Sequence, residues 1–261
     1  MATILDKILA SKAIEVAERK QFVSYSDLEK SIAFSRKCLS MKQSLLKSET
    51  GIISEFKRKS PSKGWIHEGA DAVKITSGYS TSGASGISIL TDLFYFGGTT
   101  QDIIAARPLI TCPMLRKDFV IDEYQLFEAK AMGADVILLI AAALSPRQTF
   151  EMARKAKELG LEVLLEVHNV NELGHTNEYV DMIGVNNRNL KTFDVNTKVS
   201  FELAGLIPES FVKVSESGIS KVETVKELRR AGFKGFLMGE NFMKEMNPAE
   251  TLSRFIDKLN E

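Results

Sequence analysis

From Gly51 to the end of the chain, short apolar runs alternate with longer stretches of helical periodicity, and no other feature restricts the fold as strongly. Strand-like runs fall at 52–57, 86–90, 113–117, 136–140, 162–167, 182–186, 211–215 and 235–238. Helical stretches follow them at 70–79, 101–106, 123–132, 146–159, 171–176, 198–206, 221–231 and 248–259. Boundary residues support this division. Ser145-Pro146 is a cap followed by proline in a first helical turn. Gly133, Gly160 and Gly232 each follow a helix, where a left-handed residue ends it. Runs such as Val136-Ile137-Leu138-Leu139-Ile140 are apolar on both faces, as parallel strands covered by helices must be.

Two architectures satisfy this alternation: an open doubly wound sheet and a closed (β/α)8 barrel. A dinucleotide-binding open sheet announces itself by a glycine fingerprint after its first strand. Here that position holds Lys57-Arg58-Lys59-Ser60-Pro61-Ser62-Lys63. The expected fold is therefore an α/β (β/α)8 TIM barrel over residues 51–261, with a helical extension over 1–50 packed on it as part of a single domain. Residues 3–20 read as an amphipathic helix with Ile4, Leu5, Ile8, Leu9, Ile14 and Val16 on its apolar side and Thr3 as its cap. Ser26 and Asp27 open a short second helix, and a third is expected over 36–47.

Composition narrows the function by exclusion. Lysine plus arginine and aspartate plus glutamate both number 34, so no global charge draws the chain to nucleic acid or a membrane. Any anion must be held by a local cluster. Two unpaired cysteines, Cys38 and Cys112, fit a reducing, cytoplasmic setting. His67, His168 and His175 lack metal-ligand spacing, so no metal is expected, and surface or loop roles are expected for all three. The N-terminus shows no apolar signal region, and no run is long enough to span a bilayer.

Barrel enzymes carry their chemistry at the carboxyl ends of the strands. Those ends hold Glu55 and Lys57, Lys117-Asp118, Glu166, Asn186 with Arg188, Glu216-Ser217-Gly218 and Gly239-Glu240. Inward charges this dense are costly to bury without a purpose. Internal pairing, such as Glu55 with Lys57, accounts for one pair and leaves the others. Ser217-Gly218 and Gly239-Glu240 follow strands seven and eight, the usual phosphate position of a barrel, although plain turn geometry also explains a lone glycine there. Lys59 and Ser60 of the first loop are expected to close over the same anion, helped by Arg58 and Ser62. Glu240 is expected to offer its backbone N–H and turn its carboxylate away.

These residues resemble the indole-3-glycerol phosphate synthases. The resemblance rests on Glu55-Phe56-Lys57-Arg58-Lys59-Ser60-Pro61-Ser62, Ser88-Ile89-Leu90-Thr91-Asp92, Arg116-Lys117-Asp118-Phe119, Leu164-Leu165-Glu166-Val167-His168, Gly184-Val185-Asn186-Asn187-Arg188-Asn189-Leu190, Ser215-Glu216-Ser217-Gly218-Ile219 and Met238-Gly239-Glu240, in family order from about residue 50 onward. It implies a carboxy-lyase of tryptophan biosynthesis acting on 1-(2-carboxyphenylamino)-1-deoxyribulose 5-phosphate. By that resemblance Lys117 is the general acid, Glu166 the base and Lys57 the partner of the substrate carboxylate. The later proton comes from either Lys57 or Lys117. Glu55, Asn186 and Glu216 would hold hydroxyls and orient the lysines. Arg188, Ser217, Gly218 and Gly239 would sit near the sugar phosphate, and Phe96, Phe119, Leu138 and Leu190 would form the ring pocket, with core packing the competing explanation for each of those four. No cofactor, a monomer with one activity, and a small phosphorylated substrate as the sole partner are the remaining expectations. An extension that lids the site would make truncation of residues 1–47 weaken substrate binding more than it disturbs the barrel. The competing readings are another phosphate-binding barrel, such as phosphoribosylanthranilate isomerase or a tryptophan synthase alpha-like lyase, and a non-catalytic phosphate- or nucleic-acid-binding protein using the basic loop.

Overall fold

Val136, Leu138 and Ile140 are buried on one face of their strand, and Ile137 and Leu139 on the other. The first set belongs to a cluster inside a closed ring of strands, the second to a larger cluster between strands and helices. This two-sided burial is what a strand apolar on both faces requires. The computed structural model, which describes residues 3–190 and 192–261, shows eight parallel strands closed into a barrel. They are β1 (Ile52–Phe56), β2 (Gly86–Leu90), β3 (Met114–Lys117), β4 (Val136–Ile140), β5 (Glu162–Val167), β6 (Met182–Asn186), β7 (Val212–Glu216) and β8 (Gly235–Met238). Each pairs with the next, and β8 closes on β1 through Ile52–Phe236 and Ser54–Met238.

Helices follow the strands much as the periodicity indicates, at Ala72–Thr81, Thr100–Ala106, Tyr124–Ala131, Pro146–Glu158, Lys198–Ala204, Val222–Arg230 and Pro248–Asn260. Ser145 caps its helix in a reciprocal bond pattern with Gln148. The segment expected as a helix over 171–176 is instead a 3-10 helix, Val170–His175. Its end bonds run three residues back, from the Glu172 N–H to the Asn169 carbonyl and from the Thr176 N–H to that of Leu173, and the Asn169 side-chain Oδ1 accepts from the N–H groups of Asn171 and Glu172.

The extension consists of α1 (Ile4–Phe22), α2 (Tyr25–Glu29) and α3 (Met41–Lys47). Thr3 and Asp6 cap α1 reciprocally. The third helix starts later than the sequence pattern suggests. Arg36 is drawn to Asp135 at 2.5 Å, and the Leu39 N–H donates to the same carboxylate at 2.7 Å, so this stretch is extended until Ser40 caps α3. Asp135 immediately precedes β4, and Glu162, which accepts from Ser40 and from the Lys42 N–H, begins β5. Those contacts lie at the amino ends of the strands. There Met41 and Leu45 of α3 enter the barrel's interior cluster beside Ile53, Val136 and Val214. The other end of the extension reaches the opposite mouth, where Leu5 and Ile8 of α1 line a cavity. Between the two ends, Tyr25 packs edge-on against Tyr124 and Phe127, with ring centroids 5.4 and 4.8 Å away. Among the described residues no helix is long and apolar enough to cross a membrane.

Candidate active site

Residues two apart on a strand share a face, so the inward side of each barrel strand decides what reaches the mouth. Ile53 of β1 is inside the barrel, and Glu55, two residues on, points the same way at the carboxyl end, with Lys57 one step beyond. Lys117 ends β3, Glu166 lies near the end of β5, Asn186 ends β6 and Glu216 ends β7. Asn186 and Glu216 are register partners. Glu55, Lys57, Lys117, Glu166, Asn186 and Glu216 all line one cavity of about 660 Å3 at this end of the barrel. That volume suits a small ligand.

The charges within it are paired in a definite way. Lys117 Nζ donates to Glu166 Oε2 and to Glu216 Oε2, each at 3.1 Å. Lys57 Nζ lies 2.6 Å from Glu55 Oε1. Glycine makes the room: a Cβ on Gly184 would collide with the Glu216 carboxylate, and one on Gly239 with that of Glu55. Burial opposes the charge on Lys117, but Glu166, Glu216 and Glu55 outweigh it and hold the ammonium above its ordinary pKa. Burial likewise works against ionised Glu166, yet Lys117 and His168 hold its pKa well below the usual carboxylate range. Glu216 goes the other way. Burial pushes it up to about 7, opposed by Lys117 and reinforced by Glu166. The mouth therefore contains a charged lysine, an ionised carboxylate and a second carboxyl that titrates near neutrality, a combination suited to moving protons.

Part of the cavity lining is polar. Ser60, Arg188, Ser217, Gly218, Gly239 and Glu240 contribute to it. Ser217 and Gly218 are successive left-handed residues, with φ of 67° and 75°. A non-glycine residue at that φ needs external support, and Asn187 provides it by donating from Nδ2 to the carbonyls of Glu216 and Ser217 at 2.9 and 3.0 Å. The buried Ser60 Oγ has no partner among the described residues. The rest of the first loop departs from expectation. Lys59 does not line the cavity: its register partner is Trp65 in a short hairpin, its ammonium lies 5.5 and 5.7 Å from the Trp65 and Phe94 rings, and it donates to the Phe94 carbonyl at 2.9 Å. Arg58 is also turned away, onto Asp102 at 2.7 and 2.8 Å and onto the carbonyls of Ala70 and Gly97. The loop's cation on the cavity wall is Lys63, 2.5 Å from Glu240 Oε1. The Glu240 carboxylate is paired with Lys63, and both residues are part of the cavity lining.

The cavity also has apolar lining. Phe96, Phe119, Leu138 and Leu190 contribute to it, with the Phe96 and Phe119 rings 6.0 Å apart, and α1 adds Leu5 and Ile8.

A family model described as indole-3-glycerol phosphate synthase matches residues 5–255. The chain belongs to the indole-3-glycerol phosphate synthase family. Among curated relatives, the indole-3-glycerol phosphate synthase of Bacteroides thetaiotaomicron is 54% identical over 256 residues, covering 98% of both chains. Those of Bordetella pertussis and Laribacter hongkongensis are 39% and 41% identical, covering 98% and 97% of this chain and 100% and 98% of their own lengths. Among solved structures, KGPDC from Streptococcus mutans superposes with a TM-score of 0.59 at 13% identity, over 80% of this chain and 97% of that one. This likeness concerns the barrel fold alone.

Within this indole-3-glycerol phosphate synthase family member, the sequence pattern missed three side chains that hold the site. Lys12 of α1 is fully buried, with its ammonium 2.8, 3.0 and 2.9 Å from Glu15, Asp92 and Asp118. Asp118 is also bound by Arg116 at 2.9 Å and Thr91 at 2.7 Å, and its pKa is held down to about 2, burial being outweighed by Arg116 and Lys12. Asn187 braces the Ser217 turn, as described above. His168 is the third. It is not a free loop residue but lies between Glu166 and Glu172 at the end of β5. Asn187 stands in the Asn186-Asn187-Arg188 motif, but the Ser217 turn it braces lies 30 residues on, so only the fold brings the two together. Lys12 gave no signal, because a lysine on a charged helix reads as solvent-facing.

Proposed function

We propose that this protein converts 1-(2-carboxyphenylamino)-1-deoxyribulose 5-phosphate into indole-3-glycerol phosphate, carbon dioxide and water. The observation that carries the reading is Lys117 held between Glu166 and Glu216 in a cavity with both polar and apolar lining. The apolar lining of Phe96, Phe119, Leu138 and Leu190, extended by Leu5 and Ile8, suits the carboxyphenyl ring. The polar lining, with the Ser60 hydroxyl, Arg188, Ser217, Gly218 and Gly239, suits the phosphate and sugar hydroxyls; Lys63 replaces Lys59 as the loop's cation there. Lys57 suits the substrate carboxylate, for which it would exchange part of its contact with Glu55.

The chemistry then follows from charge. Lys117 polarises the substrate carbonyl. In the unliganded state it is a strong hydrogen-bond donor but a reluctant acid, because two carboxylates stabilise its charge. Attack by the ring carbon turns the carbonyl oxygen into an alkoxide, which is more basic than a carboxylate and draws the proton across. Attack at the carboxylated carbon breaks aromaticity, and loss of carbon dioxide restores it. Dehydration requires an acid for the departing hydroxyl and a base for a proton. Glu166, ionised at neutral pH, is the base, and Lys57 or Lys117 the acid. Glu55, Asn186 and Glu216 hold hydroxyls and orient the two lysines. The test is to supply the carboxyphenylamino substrate and follow indole fluorescence together with carbon dioxide release. Equimolar appearance of both supports the reading. No product from folded protein would sink it.

A further inference from the structure

Glu166 and His168 lie two residues apart at the end of β5, so their side chains leave the strand on the same side. His168 Nε2 is 3.2 Å from Glu166 Oε1, and its Nδ1 is 3.0 Å from Glu172 Oε2. Glu172 comes from the 3-10 helix after β5 and is itself fixed. It accepts from the His168 backbone N–H at 2.8 Å and from Asn169 Nδ2 at 2.7 Å. On the far side, Glu166 Oε2 faces Lys117. An alternating row of charges therefore runs Glu172, His168, Glu166, Lys117, Glu216.

A neutral imidazole has one N–H and one lone pair. Nδ1 is hydrogen-bonded to Glu172, while Nε2 faces Glu166 Oε1 at 3.2 Å without an aligned hydrogen bond, so that contact is one between charges. A neutral ring with its proton on Nδ1 would turn a lone pair towards the Glu166 oxygen, and the imidazolium removes that repulsion. Arg188 and Asp194 of the loop after β6 and Asp6 of α1 share the adjoining groove with His168 and Glu172. Burial disfavours the charged ring, but the carboxylates of Glu166 and Glu172 prevail and push its pKa up to about 10.

We infer that His168, braced by Glu172, is a positioning residue that clamps one oxygen of Glu166 as an imidazolium and keeps the other directed at Lys117 and the substrate. The inference rests on the reading of Glu166 as the base of the reaction above. Its physical consequence concerns the moment of proton transfer. When Lys117 gives up its proton it becomes neutral, and Glu166 loses that cation. Without His168 the carboxylate would then be far more basic and would compete for the proton just released. A second, permanent cation keeps the acid and the base distinct through the cycle.

Two measurements test this. The first needs no substrate: ring-nitrogen NMR of the three histidines, with His168 assigned by its loss in His168→Gln. His168 is expected to be doubly protonated at about pH 8.5, where an ordinary histidine is neutral; a neutral ring there overturns the clamp. The second is kinetic. His168→Gln is expected to lower kcat about 10- to 100-fold with KM within about threefold. Glu172→Gln is expected to move the alkaline limb of the kcat profile down by about one pH unit or more, because it removes one of the two anions that keep the ring charged. Wild-type kcat and pH profile in both variants overturn the inference while leaving the proposed reaction intact. An inactive wild type overturns the reaction, and the NMR titration still decides the state of the clamp. If His168→Gln does not fold, the Glu172→Gln profile and the wild-type titration carry the decision.

Discussion

Lys117 is the residue on which the chemistry turns, and its surroundings divide the work among three carboxyl groups. Glu166 is held ionised, Glu55 is occupied with Lys57, and Glu216 is poised near neutrality. If Glu216 orients Lys117 as a carboxylate, activity rises with pH as it ionises near 7. Glu216→Gln is therefore expected to lose the acidic limb of the kcat/KM profile, which steady-state assays between about pH 5 and 9 would detect. A limb unchanged in the variant assigns that ionisation to another group. Which residues gather at the mouth was legible because strand ends and alternation are local properties. Which way each side chain turns was not. Lys59 and Lys63 are near neighbours in a basic loop, and only the hairpin pairing of Lys59 with Trp65 decides that Lys59 turns out and Lys63 lines the cavity. His168 stands one residue beyond its strand, and its two anions come from elements on either side of it.

At the scale of elements, the extension does two separable things. α1 contributes Leu5 and Ile8 to the apolar cavity lining and sends Lys12 to Asp92 and Asp118 at the ends of neighbouring strands. α3 plugs the far end of the barrel with Met41 and Leu45. The double variant Leu5→Ala/Ile8→Ala is expected to raise KM about tenfold in protein that is still folded, and to lower the melting temperature because both side chains are buried, measured by kinetics and a melting curve. Met41→Ala or Leu45→Ala is expected to cost about 2–5 kcal/mol in urea unfolding while leaving kcat/KM unchanged where the protein is folded. Truncation of residues 1–47 removes both parts together, so it does not isolate binding from stability as a simple lid would allow. The sequence pattern showed that α1 is a helix but misjudged its inner face. The buried side is Leu5, Ile8, Lys12 and Val16, whereas Ile14 is 62% exposed. A buried lysine with three carboxylate partners breaks the apolar periodicity from which a face is read.

For the molecule as a whole, the strand and helix alternation was enough to reach a closed barrel because parallel apolar strands without a dinucleotide fingerprint leave few alternatives. The site's charges also shape stability. Asp118 falls from an ordinary 3.8 to about 2, so its contribution is present above about pH 4 and is lost as pH falls through 2. His168 rises from 6.5 to about 10, so its contribution is full below 6.5 and lost as pH rises towards 10. Glu216 rises from 4.5 to about 7, so its ionisation penalises the folded state as pH climbs through that window. The urea midpoint is therefore expected to be higher near pH 5 than near pH 2 or pH 9, and Glu216→Gln should reduce the decline between about 5 and 7. The most direct test of the central claim is turnover of the carboxyphenylamino substrate by Lys117→Met beside the wild type, read by indole fluorescence. The expected result is rapid product formation by the wild type and a loss of about a thousandfold or more in the folded variant. Near-normal turnover by Lys117→Met would contradict the account.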